Sequence, residues 1–458
     1  MNNLHYLKTI STAISICFFI MNCSEEPTEP NQSIECPDGY STCISDADTL
    51  TCCPEEIPMS ATQSHVVWPG LADTPWPMYM HDPQHTGRSQ YDGPEHGEIE
   101  WTSEIGTEVF SNPVIDHNGN IIVSARQDLG GFQKLFSLTT NGIINWTVEF
   151  GGHIDSTPLI SADNYIYICH SAQNAPFNLY LVKLDLNGNV IWEKALGLIN
   201  DQVKGTFSPN ISIDGKTIFI SGADSSLFAI NKNGNLRWKN KLVDDYFNAE
   251  LSISPNGESI YLTTTMNKLM SIDTSGTIHW STVVSPPSLT SKNSLSAPVL
   301  DSEGNLYVYS NFEGIYSFNS DGYLRWKTAI DNFAHSYNNG LTIGPFGGIH
   351  MTSYPIVASF NYDGSLRWKK KNYVNQNRLI LDRRGYSYLG LFSSREYTSD
   401  NSIINFISLN NSGSVRYNVR LGPDTYTPDI DSPGAIYSNG SYYVGSDAGS
   451  PNFLFSIK

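Results

Sequence analysis

Apolar and polar positions alternate along most of this chain in short stretches, and the alternation restarts at a regular interval. A unit recurs: a short apolar strand, a polar turn ending in Gly, two or three further residues and a large aromatic. The clearest copies are LFAINKNGNLRW (227–238), LMSIDTSGTIHW (269–280), IYSFNSDGYLRW (315–326) and VASFNYDGSLRW (357–368). The aromatics are Trp101, Trp146, Trp192, Trp238, Trp280, Trp326 and Trp368, spaced by 42 to 46 residues, and Tyr417 follows 49 residues later within Ser-Val-Arg-Tyr. Period-2 alternation marks half-buried strands, and the turn glycines 142, 188, 234, 276, 322, 364 and 413 suit hairpin positions that need positive φ. Strands and turns repeating every 40 to 50 residues predict a β-propeller with one blade per repeat.

Each repeat reads as four strands. In the second, 156–160 is innermost, followed by Tyr165–Cys169, Leu179–Asp185 and, beyond the Asp185-Leu186-Asn187-Gly188 turn, an outermost strand at 190–196 carrying Trp192. The C-terminus stops on a third-type strand, 453–457, with no aromatic strand after it, while 98–102 is a fourth-type strand with no first three before it. The N-terminal strand therefore completes the last blade. The expected class is all-β, an eight-bladed propeller over 97–458, its ring closed in a way that pairs the edges otherwise exposed. One large ring per blade, packed against the neighbouring blade, gives these aromatics a structural role.

The remaining chain reads as export and attachment. Lys8 precedes an apolar stretch, Ile10 to Met21, too short to span a bilayer, then Asn22-Cys23-Ser24, which is the form of a secretory signal over 1–22. Ile20-Met21-Asn22-Cys23 resembles a bacterial lipobox, with Asn22 where a smaller residue is usual, so Cys23 is the expected lipidated residue and Ser24 implies outer-membrane sorting. Residues 23–75 read as a tether that opens acidic and Pro-rich. Cys36, Cys43, Cys52 and Cys53 cluster within it, a pattern of two disulfides with three connectivities in an oxidising compartment. The spacing weakly resembles half a granulin module, and a four-cysteine zinc site is the competing reading. Residues 76–96 form a lead-in to the first blade. A net charge of −18 repels phosphate backbones and anionic lipid alike, which argues against nucleic acid and leaves the acyl anchor as the expected membrane contact.

The repeats and the stretch WPMYMHDPQHTGRS (76–89) resemble the pyrroloquinoline-quinone-type propellers, over about 76–458. That superfamily implies either quinone-dependent dehydrogenases or cofactor-free scaffolds, among them the propeller lipoprotein of the outer-membrane protein assembly machine. For the dehydrogenases the resemblance would call for a vicinal cystine, a Trp beneath the quinone, and calcium held by Glu, Asn and Asp. Within 97–458 the sole cysteine is Cys169, the Cys52-Cys53 pair lies in the tether, and the blade period uses every propeller Trp. No catalytic, cofactor or metal residue is therefore expected, and no cofactor.

Other chemistry is thin. His81 and His85 sit four apart, but Pro83 interrupts any helix that would align them on a metal. Asp185 to Gly188 and Asp116 to Gly119 echo calcium loops, yet Lys194 stands where the bidentate Glu would follow Gly188. The functional expectation is a non-catalytic, lipid-anchored binding scaffold of the cell envelope with a protein partner. The alternatives are a quinone-dependent oxidoreductase and a saccharide-binding surface protein. Ligands would meet the loops that precede the inner strands, where Phe110, His153, Phe207, Phe247, His335 and Tyr426 fall.

Overall fold

The computed structural model describes 40–44, 50–54 and the chain from 62 to 458, apart from 110, 127–132, 155, 173–177, 199–206, 223–224, 248, 286–294, 312, 331–339, 354, 372–377, 392–405, 422–429, 431 and 447–451. The predicted lipidation residue Cys23 and Cys36 lie outside these residues, as do the signal segment and the first part of the tether.

Eight sheets of the predicted kind make up the ring. Blade 2, for example, is built from Leu159–Ile160, Tyr165–Ser171, Asn178–Asp185 and Val190–Leu198 in strict antiparallel order. The two inner hairpins of each blade are buried on both faces, whereas the outermost strand alternates exposed and half-buried residues, as in Leu236–Lys241. The cause lies in the sequence: strands such as TIFISG and SLFAIN are nearly continuous in β-branched, aromatic and small residues, and LRWKNK alternates.

A β-bulge recurs where the third strand meets the fourth. Ser317 pairs with Trp326 and Phe318 with Leu324, so the intervening Arg325 has no opposite number. The same shift occurs at Ser137/Leu138, Ala229/Ile230, Ser271/Ile272, Ser359/Phe360 and Ser408/Leu409. All seven turn glycines have φ between 75° and 95°.

Closure follows the predicted plan. Ile99–Gly106 pairs antiparallel with Asn452–Ile457, the third strand of blade 8, after Ala435–Ile436 and Tyr442–Gly445. Glu98 and Lys458 exchange backbone hydrogen bonds at 2.9 and 2.7 Å, which locks the two ends of the ring together. Glu108–Val109 then pairs with Ile121–Arg126 and carries the chain directly into blade 1.

The cysteine-rich segment contributes a two-stranded hairpin, Tyr40–Ile44 with Leu50–Pro54, whose register sets Thr42 opposite Cys52 and Ser41 opposite Cys53. This hairpin lies against Leu366–Lys371, the outermost strand of blade 6. That strand departs from the burial pattern of its equivalents, with Arg367 and Trp368 both buried.

Candidate functional site

The blade-docking residues act across blade boundaries. Each indole donates its Nε1 hydrogen to a backbone carbonyl in the turn of the following blade: Trp101 to Thr140 (2.8 Å), Trp146 to Leu186 (2.9 Å), Trp192 to Lys232 (3.2 Å), Trp238 to Thr274 (3.0 Å), Trp280 to Ser320 (3.0 Å), Trp326 to Tyr362 (3.0 Å) and Trp368 to Asn411 (2.9 Å). Tyr417 takes the eighth place, its hydroxyl donating to the Pro94 carbonyl at 2.9 Å. The turn glycines are required twice over, by their backbone and by the indole above them. A Cβ on Gly364 would lie 2.6 Å from Trp326, and one on Gly142 would lie 2.6 Å from Trp101.

One mouth of the central channel is closed by the chain itself. The inner strand of successive blades donates a backbone hydrogen bond to the lead-in: Ile115 to Trp76, Ile160 to Pro77, Ile253 to Pro83, Leu300 to Gln84, Ile343 to Thr86 and Leu381 to Gly87, at 2.7 to 3.1 Å. Blade 3 joins through Asn210, whose side-chain amide donates to Pro83 at 3.2 Å. Farther out, Arg383 clamps Asp92 (2.8 Å), Arg384 meets Glu95 (2.8 Å), and the Asp382 carboxylate accepts from Gly93 N–H (3.1 Å) and Tyr388 (3.0 Å).

The ring-bound segment also starts earlier than 76. Trp68 Nε1 donates to Ile211 (3.0 Å), Leu71 bridges Ser161, and Gln63 reaches Tyr362 (2.9 Å). The expected tether is thus packed on the ring over its described final part, 62–75, because Trp68 and Leu71 bury apolar area there.

His81 and His85 both sit inside this plug and are fully enclosed. His81 Nδ1 lies 3.3 Å from Asp82, whose carboxylate also accepts from Thr86. Burial alone would raise Asp82, but these hydrogen bonds outweigh it and hold the carboxyl below its ordinary range. His85 Nδ1 lies 3.0 Å from the Ser252 hydroxyl, and burial with the nearby Arg378 charge pushes the ring down to about 3. Among the described residues no group of three His, Cys, Asp or Glu could hold a metal ion. Asp185 and Asp116 spend a carboxylate oxygen on turn N–H groups, Asn187 and Asn189 for Asp185, Asn118 and Asn120 for Asp116.

A quinone of the dehydrogenase kind does not fit this ring. The Cys52-Cys53 pair lies at the outer edge of blade 6, and the indoles of the blade period are engaged between blades. Trp76 is in the plug but wholly buried, 5.0 Å from the His81 ring, with no accessible face.

The opposite face is formed by connections between second and third strands and between successive blades. His153 and Phe207 lie there half-buried, His153 Nδ1 being 3.4 Å from Gln133. Phe247 offers no surface: it is fully buried between blades 3 and 4 and bridges Thr264. Phe110, His335 and Tyr426 lie outside the described residues.

A family model described as the outer membrane protein assembly factor BamB matches residues 92–246 and 178–346, together more than half of the chain. The chain belongs to this family. Among solved structures, BamB from Moraxella catarrhalis is similar in fold, with a TM-score of 0.54 at 12% identity over 79% of this chain and 100% of that one. No curated protein matches the chain.

Proposed function

We propose that this chain is a non-catalytic propeller scaffold of the cell envelope, attached through a lipid on Cys23 and engaging a protein partner with the face opposite the plug. The observation that carries the reading is the division of labour within the ring. The conspicuous aromatics and the lead-in histidines are consumed by packing and hydrogen bonding, so what remains for function is surface. Membership of a family described as an outer membrane assembly factor supports an envelope role and a protein partner. The charge of −18 disfavours direct adhesion of the ring to anionic lipid and supports attachment through the acyl anchor.

Two measurements test it. Mass spectrometry of the mature N-terminus of the full chain should show a diacylated or triacylated Cys23, and Cys23→Ser should release the protein from membranes. Affinity capture with the full-length protein should recover an outer-membrane barrel or assembly protein. Recovery of a tightly held quinone, or an unmodified Cys23 on membrane-bound protein, would overturn the proposal.

A further inference from the structure

The residue three positions before each inner-strand N–H that meets the plug occupies one level of the channel wall. Around the ring these collar residues are Asn112, Thr157, Glu250, Ala297, Gly340, Arg378 and, by register, Ser208 and Pro433. Part of the collar is self-satisfied: Asn112 N–H donates to the Thr157 hydroxyl (3.2 Å) and Thr157 N–H to the Ser208 hydroxyl (3.0 Å).

The other side is not. Between Glu250 on blade 4 and Arg378 on blade 7 stand only the small residues Ala297 and Gly340. The Arg378 side chain lies over Gly340, where a Cβ would come within 2.0 Å of its Nε, and so extends toward Glu250. Its guanidinium carbon is 5.6 Å above the Tyr79 ring, and Tyr79 meets His85 edge-on at 5.1 Å.

Arg378 is 6% exposed, and its Nη1 has no hydrogen-bond partner among the described residues. Glu250 and Tyr79 are each half-buried. Glu250 and Arg378 feel each other's charge, yet no ion pair within 4.0 Å joins them. Burial pushes the Glu250 carboxyl upward, against the pull of Arg378. A guanidinium this enclosed, with no anion in ion-pair range among the described residues, carries a large desolvation cost, and an unpaired donor adds to it. A molecule bearing both charges at short separation supplies an anion to Arg378 and a cation to Glu250 without bringing net charge into the channel.

We infer that the channel floor binds a small zwitterion of the free α-amino-acid type, its carboxylate on Arg378 and its ammonium on Glu250, with Tyr79 beneath. This site is separate from the partner-binding face and does not depend on the scaffold reading.

The test is titration of the full-length protein with L-alanine by calorimetry and thermal shift. Acetate and methylammonium at equal ionic strength serve as single-charge probes. L-alanine should bind saturably and raise the unfolding temperature, with either half-probe at least about tenfold weaker, since each loses one charge-assisted contact. Arg378→Gln should weaken L-alanine about tenfold or more. Glu250→Gln, which leaves Arg378 and the Tyr79 contact in place, should weaken L-alanine while strengthening acetate. Absence of a saturable L-alanine response in the native protein, or an unchanged preference in Glu250→Gln, would overturn the inference even where Arg378→Gln proves unstable.

Discussion

The contact between a turn glycine and the indole of the preceding blade can be dissected at Gly364. Its φ is 86°, and a Cβ there would meet Trp326 Cε3 at 2.6 Å, with the Thr328 hydroxyl oxygen at 2.8 Å. Two costs add in Gly364→Ala. A left-handed conformation costs a residue with a side chain about 1–2 kcal/mol. Displacing the indole, which is tied to the Tyr362 carbonyl at 3.0 Å, adds about 1–3 kcal/mol of overpacking. The single variant should therefore lose about 2–5 kcal/mol. Trp326→Ala alone should lose about 3 kcal/mol, the lower end for an indole, because the ring is only half-buried.

In the Trp326→Ala background the indole clash disappears, leaving the conformational share and the Thr328 hydroxyl, which donates to the Gly364 carbonyl at 2.6 Å. Gly364→Ala should then cost less by the indole's share, so the two variants couple by about 1–3 kcal/mol. The assay is urea unfolding of the four proteins, compared through midpoints at unchanged m-values. Equal cost of Gly364→Ala in both backgrounds would refute the argument and leave backbone conformation as the sole reason for glycine.

Three further outcomes are expected. Asp382→Ala should destabilise the protein by about 1–3 kcal/mol, because it strands the buried Tyr388 hydroxyl and the Gly93 N–H and removes one of the carboxylates around the half-buried Arg384; limited proteolysis should cut within 62–95 first, and resistance there would count against the clamp. His85 and His350 are held at about 3 by burial, below the ordinary 6.5, so the unfolded chain binds protons the folded ring refuses; stability should fall as pH drops from about 6.5 towards 3, by about 2 kcal/mol per histidine at pH 5. Replacing either by Gln should flatten that slope in unfolding at pH 7.5 and 5, and an unchanged slope would show that the ring is charged when folded. Deleting 452–458 should unpair Ile99–Gly106 from its partner strand and expose an edge of blade 8, seen as loss of monomer by light scattering.

The ring was legible because its determinants are side chains at fixed intervals. Trp326 and Gly364 are separate letters in the chain, but the indole needs a turn without a Cβ beneath it, and so both recur with one period. Closure was legible for a similar reason: a Trp101 strand without predecessors and a Phe453 strand without a successor imply each other. The plug was not. Its contacts to the inner strands are mainly through the carbonyls of Trp76, Pro77, Pro83, Gln84, Thr86 and Gly87, and a carbonyl looks the same in every residue. Phe247 was misplaced because an aromatic before an inner strand reads alike whether it faces the channel mouth or the gap between blades. Glu250 and Arg378 are not legible as neighbours, because 127 intervening residues separate two charges that only the register brings to one level.

The plug also bears on how the ring carries force. A propeller closed by one terminal strand has an obvious tearing line, since a pull on that terminus would unzip Ile99–Gly106 from Asn452–Ile457 one hydrogen bond at a time. Here the pull arrives first at 62–95, which is fastened to inner strands from blade 1 round to blade 7. Tension entering from the N-terminal side is spread around the floor of the ring before it reaches the seam. The lead-in works as a strain relief, and the seam is shielded from the direction in which an N-terminal attachment would pull.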